Sequence, residues 1–345
     1  MTTNQLLKPV TTEINEKGNL QIGGCDLVEL AEKYGTPLYI IDEKTVRTIC
    51  QEYKKAFKSY PKAKFMYASK ALCNIPISML IKSENFGFDV VSSGEIYTVY
   101  KAGINMDNVL FNGSNKSFDE ISLALDLNIG RISVDNFFEL SLLNEIAKSK
   151  NKNVNILLRI TPGIECHTHE YIQTGHLDSK FGFDLTQIDE AIELIQTEYS
   201  NLNLKGLHAH IGSQIFETTI YADEIEILIQ ELARIKDKFD TELEEINIGG
   251  GLGVKYTEQD NPPSVDEIAK IILNQLQQSL DKYKINPPIL IMEPGRGLIS
   301  TSGVTLYTIG SFKQVPNGTK YVAVDGGMAD NIRPAMYNAQ YSAQI

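Results

Sequence analysis

Positive charge is in deficit in this chain of 345 residues, because 32 lysines and arginines face 44 aspartates and glutamates, for a formal net charge of −12. This surplus of negative charge argues against binding to nucleic acid or to anionic membrane surfaces. Apolar runs of the ~18–20 residues needed to span a bilayer are also lacking. The amino terminus has no basic region followed by an apolar stretch, so no secretory signal is predicted.

Cysteine is scarce as well, and the four cysteines lack the regular spacing of a disulfide framework. They are Cys25, Cys50, Cys73 and Cys166. This pattern argues against a disulfide-stabilised secreted domain and favours the reducing cytoplasm. The remaining composition, with 42% hydrophobic and 22% charged residues, is typical of a globular chain that can bury a large core.

From residue 64 onward, short β-type runs alternate with amphipathic helical patterns. The predicted strands are 64–69, 87–92, 108–113, 131–135, 153–161, 203–211, 244–249 and 288–293. The predicted helices are 74–84, 94–102, 117–127, 136–149, 186–198, 218–238 and 264–284. Many strands are almost continuously hydrophobic, as expected of parallel strands covered on both faces. The pattern predicts an α/β protein with a (β/α)8 TIM barrel. A doubly wound sheet is the alternative, but no Gly-x-Gly-x-x-Gly follows the first strand.

Further β-type runs lie at both chain ends, and they predict a smaller β domain formed from both ends. The runs are 20–22, 37–42, 304–309 and 321–325. The predicted division is 1–42 for the first part of the β domain, 43–300 for the barrel and 301–345 for the start of its second part. Segment 162–185 is predicted to be a polar loop, long enough to suggest a function.

Chemically active side chains follow the first and last predicted strands, and the active site of a barrel lies at the carboxyl ends of its strands. Lys70 ends the first strand, where a lysine is expected to be poorly solvated and to favour the free amine that condenses with aldehydes. The alternative is a lysine that merely extends from a strand end. Glu293 and Arg296 follow the last strand. They would suit a cofactor with a pyridinium nitrogen and a phosphate.

Glycine and histidine occupy neighbouring strand ends. The turn Gly249-Gly250-Gly251 exposes backbone N–H groups to an anion, although a tight turn would also need glycine. His208 and His210 face the same side of one strand. They could be a metal pair, but an aromatic platform under a planar ring suits His210 better. The run Cys166-His167-Thr168-His169 also resembles a metal cluster, but a polar loop is favoured because no partner pair matches it.

Five motifs in order closely resemble the fold-type III pyridoxal-phosphate decarboxylases, whose barrels are similar to alanine racemase. The motifs are Tyr67-Ala68-Ser69-Lys70, His208-Ala209-His210-Ile211-Gly212-Ser213-Gln214, Asn247-Ile248-Gly249-Gly250-Gly251, Glu293-Pro294-Gly295-Arg296 and Asp325-Gly326-Gly327-Met328. The resemblance covers essentially the whole chain. It implies pyridoxal 5'-phosphate as cofactor, no metal, and a homodimer that shares active sites between subunits.

The resemblance also implies a role for individual residues. Lys70 would be the catalytic residue that carries the cofactor as a Schiff base, His210 would stack on the ring, and Glu293 would pair with the pyridine nitrogen. The implied cofactor-binding set is Lys70, Asp89, His210, Ser213, Gly250, Gly251, Glu293, Pro294, Gly295 and Arg296. A carboxylate beside the nitrogen keeps the ring protonated and able to accept electrons, which favours decarboxylation over racemisation.

Arg296, Arg333 and Tyr337 match family positions that bind substrate carboxylates. Two arginines suit a molecule with a carboxylate at each end. With the segments from Thr174 to Phe183 and from Ile332 to Tyr337, they imply decarboxylation of meso-2,6-diaminopimelate to L-lysine and carbon dioxide. Ornithine, arginine and carboxynorspermidine remain alternative substrates, and a surface salt bridge remains an alternative for Arg333.

Two other classes of function remain open: a non-catalytic pyridoxal-phosphate carrier, and a sugar-phosphate or metal-dependent barrel enzyme. The chain also departs from the family pattern, in which a Cys-Glu-x-x-Asp segment and then a tyrosine reach the partner's active site. None of the four cysteines is followed by glutamate. We therefore expect a fragment of a longer protein, one that binds cofactor better than it turns over substrate.

Overall fold

The computed structural model describes residues 1–164 and 180–345. Before the barrel, the chain forms a small antiparallel sheet, one further strand and two helices. These elements are β1 (Glu13–Ile14), β2 (Leu20–Ile22), β3 (Cys25–Asp26), α1 (Leu27–Tyr34), β4 (Leu38–Ile41) and α2 (Glu43–Ala56). Both helices begin after an aspartate, Asp26 and Asp42, whose carboxylate accepts backbone N–H groups of the first turn.

Parallel strands then alternate with helices and close a barrel. The strands are β5 (Ala63–Ala68), β6 (Gly87–Val90), β7 (Val109–Phe111), β8 (Arg131–Val134), β9 (Val154–Thr161), β11 (Leu202–His208), β12 (Glu245–Asn247) and β13 (Ile289–Met292). The last strand closes the ring by pairing with the first, with Met292 opposite Phe65. The short β10 (Phe183–Asp184) extends the sheet beside the end of β9. The predicted (β/α)8 barrel is confirmed.

The helices of the barrel begin close to the carboxyl ends of the strands. They are α3 (Ile75–Ser83), α4 (Ser93–Lys101), α5 (Phe118–Asp126), α6 (Phe137–Ser149), α7 (Ile188–Thr197), α8 (Thr219–Phe239), α9 (Val265–Tyr283) and the short α10 (Arg296–Ile299). Five of them start after a serine or asparagine whose side chain accepts a backbone N–H of the first turn, which fixes the end of the preceding loop. These caps are Asn74, Ser92, Ser117, Asn136 and Ser264.

Both ends of the chain meet beside the barrel. Strand β14 (Gly303–Leu306) pairs antiparallel with β4, so that Gly303 lies opposite Ile41. A separate hairpin of β15 (Ile309–Gln314) and β16 (Lys320–Val324) follows, and then α11 (Arg333–Tyr337). The hairpin is largely exposed, with Phe312 and Tyr321 each more than half accessible to solvent.

A continuous apolar core fills the barrel and the layer between its strands and helices. Strand residues such as Phe88, Leu110 and Ile156 are fully buried, in keeping with strands covered on both faces. In the described ranges, no helix is long and apolar enough to cross a membrane.

The predicted barrel strands and helices match the structure to within a few residues at each end. Helices α1 and α2 are missing from the prediction. The first 42 residues look β-rich, and the predicted helices begin only after the first barrel strand. The predicted run 304–309 is also partly wrong. It is divided between β14 and the start of β15, which pair with different strands.

Candidate active site

A cavity of about 460 Å³ lies at the carboxyl ends of the barrel strands. It contains most of the side chains that the sequence singles out. The predicted site residues that line it are Lys70, His210, Ser213, Gly250, Gly251, Glu293, Pro294, Gly295, Arg296 and Arg333. Lys70 and Arg296, which follow the first and last strands of the barrel, therefore share one cavity, as the barrel prediction requires.

Lys70 lies on the cavity wall, in a single helical turn (Ser69–Ala71) directly after β5. The residue is exposed to solvent. The expectation of a poorly solvated lysine is therefore wrong. The adjacent Ser69 is buried, and its hydroxyl donates to the Asp89 carbonyl, which holds the start of the turn against β6.

Glu293 is buried where β13 ends, and other strand ends supply its hydrogen-bond donors. The amides of Asn247 and Asn112 donate to its Oε1 at 2.7 and 3.0 Å. The Nε2 atom of His208 lies 3.6 Å from its Oε2. Burial alone would raise the pKa of Glu293, but His208, Lys70 and the Asn247 amide lower it well below its usual range. The cavity thus contains an ionised carboxylate.

Asp89 is buried in β6, behind Glu293, and does not line the cavity. The amide of Asn112 bridges the two acids, because it also donates to Asp89 Oδ1 at 2.7 Å. Burial and then the charge of Glu293 raise the pKa of Asp89 to about 7. Its Oδ2 atom has no hydrogen-bond partner among the described residues. Two neighbouring carboxyl groups therefore differ in charge, since Glu293 is ionised while Asp89 retains a proton over much of the neutral range.

His210 lies just beyond β11, beside the glycine turn. Its Nδ1 atom accepts the Gly250 N–H at 3.3 Å. Burial and then the charges of Lys70 and Arg159 lower the pKa of His210 well below its usual value. The ring is therefore neutral, which suits contact with a planar ligand.

Two positions of the turn after β12 require glycine. A Cβ atom on Gly250 would lie 2.3 Å from the Glu293 carbonyl oxygen. Gly251 has φ +117° and would bring a Cβ atom within 2.8 Å of the Gly212 carbonyl. The backbone of this turn consequently forms part of the cavity wall, open to a ligand.

Arg296 crosses the cavity between two hydroxyl groups. Its Nε and Nη2 atoms donate to Ser213 Oγ at 3.2 and 3.1 Å, and its Nη1 atom donates to the Tyr256 hydroxyl at 2.7 Å. None of these partners is charged. The guanidinium is therefore held in place with its positive charge available to an anionic ligand.

Arg333 reaches the cavity from α11. Its Nε atom donates to the Tyr341 hydroxyl at 2.9 Å, and its guanidinium lies over the rings of Tyr256 and Tyr337, 5.9 and 5.2 Å from their centroids. These contacts are aromatic and hydroxyl groups, rather than the carboxylate of a surface salt bridge. Tyr337 does not line the cavity, and it contacts the Arg333 guanidinium through its ring.

Four further residues contact the predicted site residues, although the sequence did not assign them to the site. These are Asn112, Asn247, His208 and Tyr256. Asn112 and Asn247 could have been found as amides near the carboxyl ends of the predicted strands 108–113 and 244–249. Tyr256 carries a weaker signal, an aromatic residue a few positions after the glycine turn.

The metal alternatives find no support in the described residues, among which no three His, Cys, Asp or Glu side chains cluster as metal ligands would. His208 and His210 contact different partners, Glu293 and the Gly250 backbone. The run from Cys166 to His169 lies outside the described residues. The part from Thr174 to Ser179 of the segment from Thr174 to Phe183, which implies the substrate, also lies outside the described residues.

Comparison with known proteins agrees with this geometry. Residues 44–300 match the family model described as the pyridoxal-binding domain of pyridoxal-dependent decarboxylases. Diaminopimelate decarboxylase of Bacillus methanolicus is 47% identical over 97% of this chain and 78% of its own length. The enzyme of the same name from Bacillus subtilis is 45% identical, over 96% of this chain and 76% of its own length.

A solved structure gives the same result. The crystal structure of diaminopimelate decarboxylase from Methanocaldococcus jannaschii in complex with L-lysine superimposes with a TM-score of 0.90 at 35% identity. The match covers 99% of this chain and 78% of that one. The barrel and its mouth are therefore those of a pyridoxal-dependent decarboxylase. Within that class, the chain belongs to the diaminopimelate decarboxylase family.

The cofactor of this class is pyridoxal phosphate, and the cavity has groups that fit each part of it. An amine (Lys70) and a buried ionised carboxylate (Glu293) line the same space. The glycine turn, Ser213 and Arg296 offer N–H, hydroxyl and guanidinium donors to a phosphate. A neutral imidazole, His210, lies beside the turn.

Proposed function

We propose that this chain decarboxylates meso-2,6-diaminopimelate to L-lysine at the barrel mouth. The observation that carries the proposal is the ionised Glu293, held by two asparagine amides in the cavity that Lys70 lines. When bound, pyridoxal phosphate supplies an aldehyde for an amine and a ring that accepts an electron pair. The residues around the cavity bind the cofactor and the substrate and set the protonation of both.

The proposed roles follow from the position of each group. Lys70 binds the aldehyde carbon, and His210 contacts one face of the ring. Glu293 keeps a proton on the ring nitrogen, because a carboxylate that stays ionised favours the positive charge beside it. Gly250, Gly251 and Ser213 bind the phosphate, together with Arg296. Asp89, Pro294 and Gly295 complete the cofactor site, Asp89 through the Asn112 amide that it shares with Glu293.

For the substrate, we propose that Arg333 and Arg296 bind carboxylates and that Tyr337 holds Arg333 in position. In the reaction, the bond between the α-carbon and one carboxylate breaks, carbon dioxide leaves, and a proton takes its place. The second carboxylate is retained in L-lysine. A molecule with one carboxylate, such as ornithine, would leave the Arg333 guanidinium without an anionic partner, whereas Arg296 would still contact the phosphate. This difference is why diaminopimelate is favoured.

The proposal is tested by release of carbon dioxide from meso-diaminopimelate, ornithine and arginine with the cofactor-loaded protein. Release is expected from diaminopimelate and lost in Lys70→Ala. The control is Lys64→Ala, an exposed lysine at the other end of β5, which should retain activity. Turnover by Lys70→Ala would contradict the role of Lys70, and a preference for ornithine or arginine would contradict the substrate.

The wider organisation is also proposed. We infer a cytoplasmic homodimer that shares its active sites, supported by the family and by the exposed apolar residues of the hairpin, among them Phe312 and Val324. We retain the division into 1–42, 43–300 and 301–345, supported by the β4–β14 pairing that joins the two ends of the chain. Light scattering of the purified protein at several concentrations tests the dimer.

A further inference from the structure

The two oxygen atoms of Glu293 have different surroundings. Oε1 accepts two amide hydrogen bonds, from Asn247 and Asn112. Oε2 lies beside the imidazole of His208, with Nε2 at 3.6 Å. His208 is itself buried, and its Nε2 atom has no hydrogen-bond partner among the described residues. Oε2 is therefore the oxygen with room for a further partner, and His208 is the group beside it.

The opposite side of the His208 ring is fixed. Its Nδ1 atom lies 2.7 Å from the Ser133 hydroxyl, which is buried at the carboxyl end of β8. A carboxylate at 3.6 Å from Nε2 favours the tautomer with the proton on Nε2, because the other tautomer would direct a lone pair at a negative charge. Ser133 then donates its hydroxyl hydrogen to Nδ1. The serine thus holds the ring in the orientation that directs its Nε2 N–H at Glu293.

The charged groups around His208 include Glu293, Asp135, Arg159 and Lys70. Burial lowers the pKa of His208, the charge of Glu293 opposes this, and Arg159 and Lys70 add to it. The imidazole is therefore neutral and adds a dipole to the pair without cancelling the charge of the carboxylate. An N–H dipole directed at a carboxylate from this distance favours the ionised form of that carboxylate.

We propose that His208, oriented by Ser133, is a positioning residue that keeps the shared proton on the cofactor nitrogen rather than on Glu293. The inference rests on the proposed pairing of Glu293 with that nitrogen. In such a pair, the proton resides on the stronger base. The N–H dipole of His208 beside Oε2 makes the carboxylate the weaker base, so the nitrogen retains the proton and the ring remains a good electron acceptor.

The test is the nitrogen NMR chemical shift of protein loaded with pyridoxal phosphate labelled with ¹⁵N in the ring, which separates protonated from unprotonated nitrogen. His208→Gln retains an N–H donor of similar reach, and His208→Leu removes it. The wild type and the Gln variant are expected to show a protonated nitrogen. The Leu variant should shift toward the unprotonated form, and its kcat should fall about tenfold or more with little change in KM.

Ser133→Ala is the second variant, in case the Leu variant does not fold or bind cofactor. It should shift the nitrogen signal in the same direction by a smaller amount, because His208 loses the hydroxyl that orients its ring. Ser78→Ala is the matched control. Ser78 is an equally buried serine, but its hydroxyl donates to the Asn74 carbonyl on α3, and this variant should leave the signal unchanged.

An unchanged nitrogen signal in a folded, loaded Leu variant would overturn the inference, as would an unchanged signal in Ser133→Ala if the Leu variant cannot be loaded. Failure of the proposed function itself would give a different result in the wild type. In that case, the wild type would bind no cofactor or would already show an unprotonated nitrogen.

Discussion

Arg333 is the residue through which the cavity can distinguish a substrate with two carboxylates. It is half-buried, and its guanidinium is held by a hydroxyl and two aromatic rings. Such contacts fix the direction of the charge without neutralising it. A carboxylate that reaches this guanidinium would gain a charge-assisted hydrogen bond worth about 1.5–3 kcal/mol.

Arg333→Ala is accordingly expected to reduce kcat/KM for meso-diaminopimelate by about tenfold to hundredfold, mainly through KM. Turnover of ornithine, which lacks the second carboxylate, should change little. The ratio of kcat/KM for diaminopimelate to kcat/KM for ornithine should therefore fall. Steady-state kinetics with both substrates measures this. Arg234→Ala is the control, since Arg234 pairs with Asp189 and Glu231 on the outside of the barrel. Equal losses for both substrates would contradict the assignment.

At this scale, the sequence predicts the residues at strand ends but not their partners. Lys70, Glu293 and Arg296 can be predicted because each follows an apolar run that must be a buried strand. The pairing of Glu293 with Asn112 and Asn247 depends on the register of three strands, which no local pattern contains. The exposure of Lys70 escapes prediction for a similar reason, since the turn from Ser69 to Ala71 has no strong sequence signal.

At the scale of the element, α8 contains a buried acid that the proposed chemistry does not use. Both oxygens of Glu224 lack hydrogen-bond partners among the described residues, and the side chain is fully buried. Burial and then the charge of Glu293 raise the pKa of Glu224 well above its usual value. The folded protein therefore holds a proton that the unfolded chain releases above about pH 4.3.

The sign of the pH effect follows from this difference. A raised pKa in the folded state means that the stability contribution is complete below the unfolded pKa and is lost as the pH rises from there toward the folded pKa. Glu224→Gln has no proton to lose. Its thermal midpoint should match the wild type near the unfolded pKa of about 4.3 and exceed it by a growing margin as the pH rises above that value.

Glu231→Gln is the matched control, because it makes the same chemical change two turns later on α8. Its carboxylate is paired with Arg234 at 2.8 Å, so the substitution should lower the thermal midpoint or leave it unchanged. If the difference in thermal midpoint between Glu224→Gln and the wild type stays constant with pH, Glu224 is not held protonated in the folded protein.

Element boundaries are well predicted wherever a cap is visible in the sequence. Helices α5 and α9 begin with Ser-x-x-Glu, at Ser117 and Ser264, and the structure shows both capping boxes. Helices α1 and α2 were missed although Asp26 and Asp42 cap them. Short apolar runs nearby favoured the prediction of strands there. Such runs do not distinguish a strand from a buried helix segment.

At the scale of the whole molecule, the barrel brings residues from all parts of the chain to one cavity. The alternation of eight apolar runs with helical patterns was sufficient to predict closure, because parallel strands with short crossovers have few other solutions. The arrangement of the chain ends was predictable only in outline. Their strands are short, and the pairing of β4 with β14 spans more than 260 residues.

The central claim is that pyridoxal phosphate binds covalently to Lys70 at this cavity, and borohydride trapping tests it most directly. The protein is loaded with pyridoxal phosphate, reduced with borohydride and digested, and its peptides are examined by mass spectrometry. The expected result is a phosphopyridoxyl group on Lys70 in the wild type and none at the site in Lys70→Ala. A group attached to another lysine, or no stable attachment in the folded wild type, would contradict the claim.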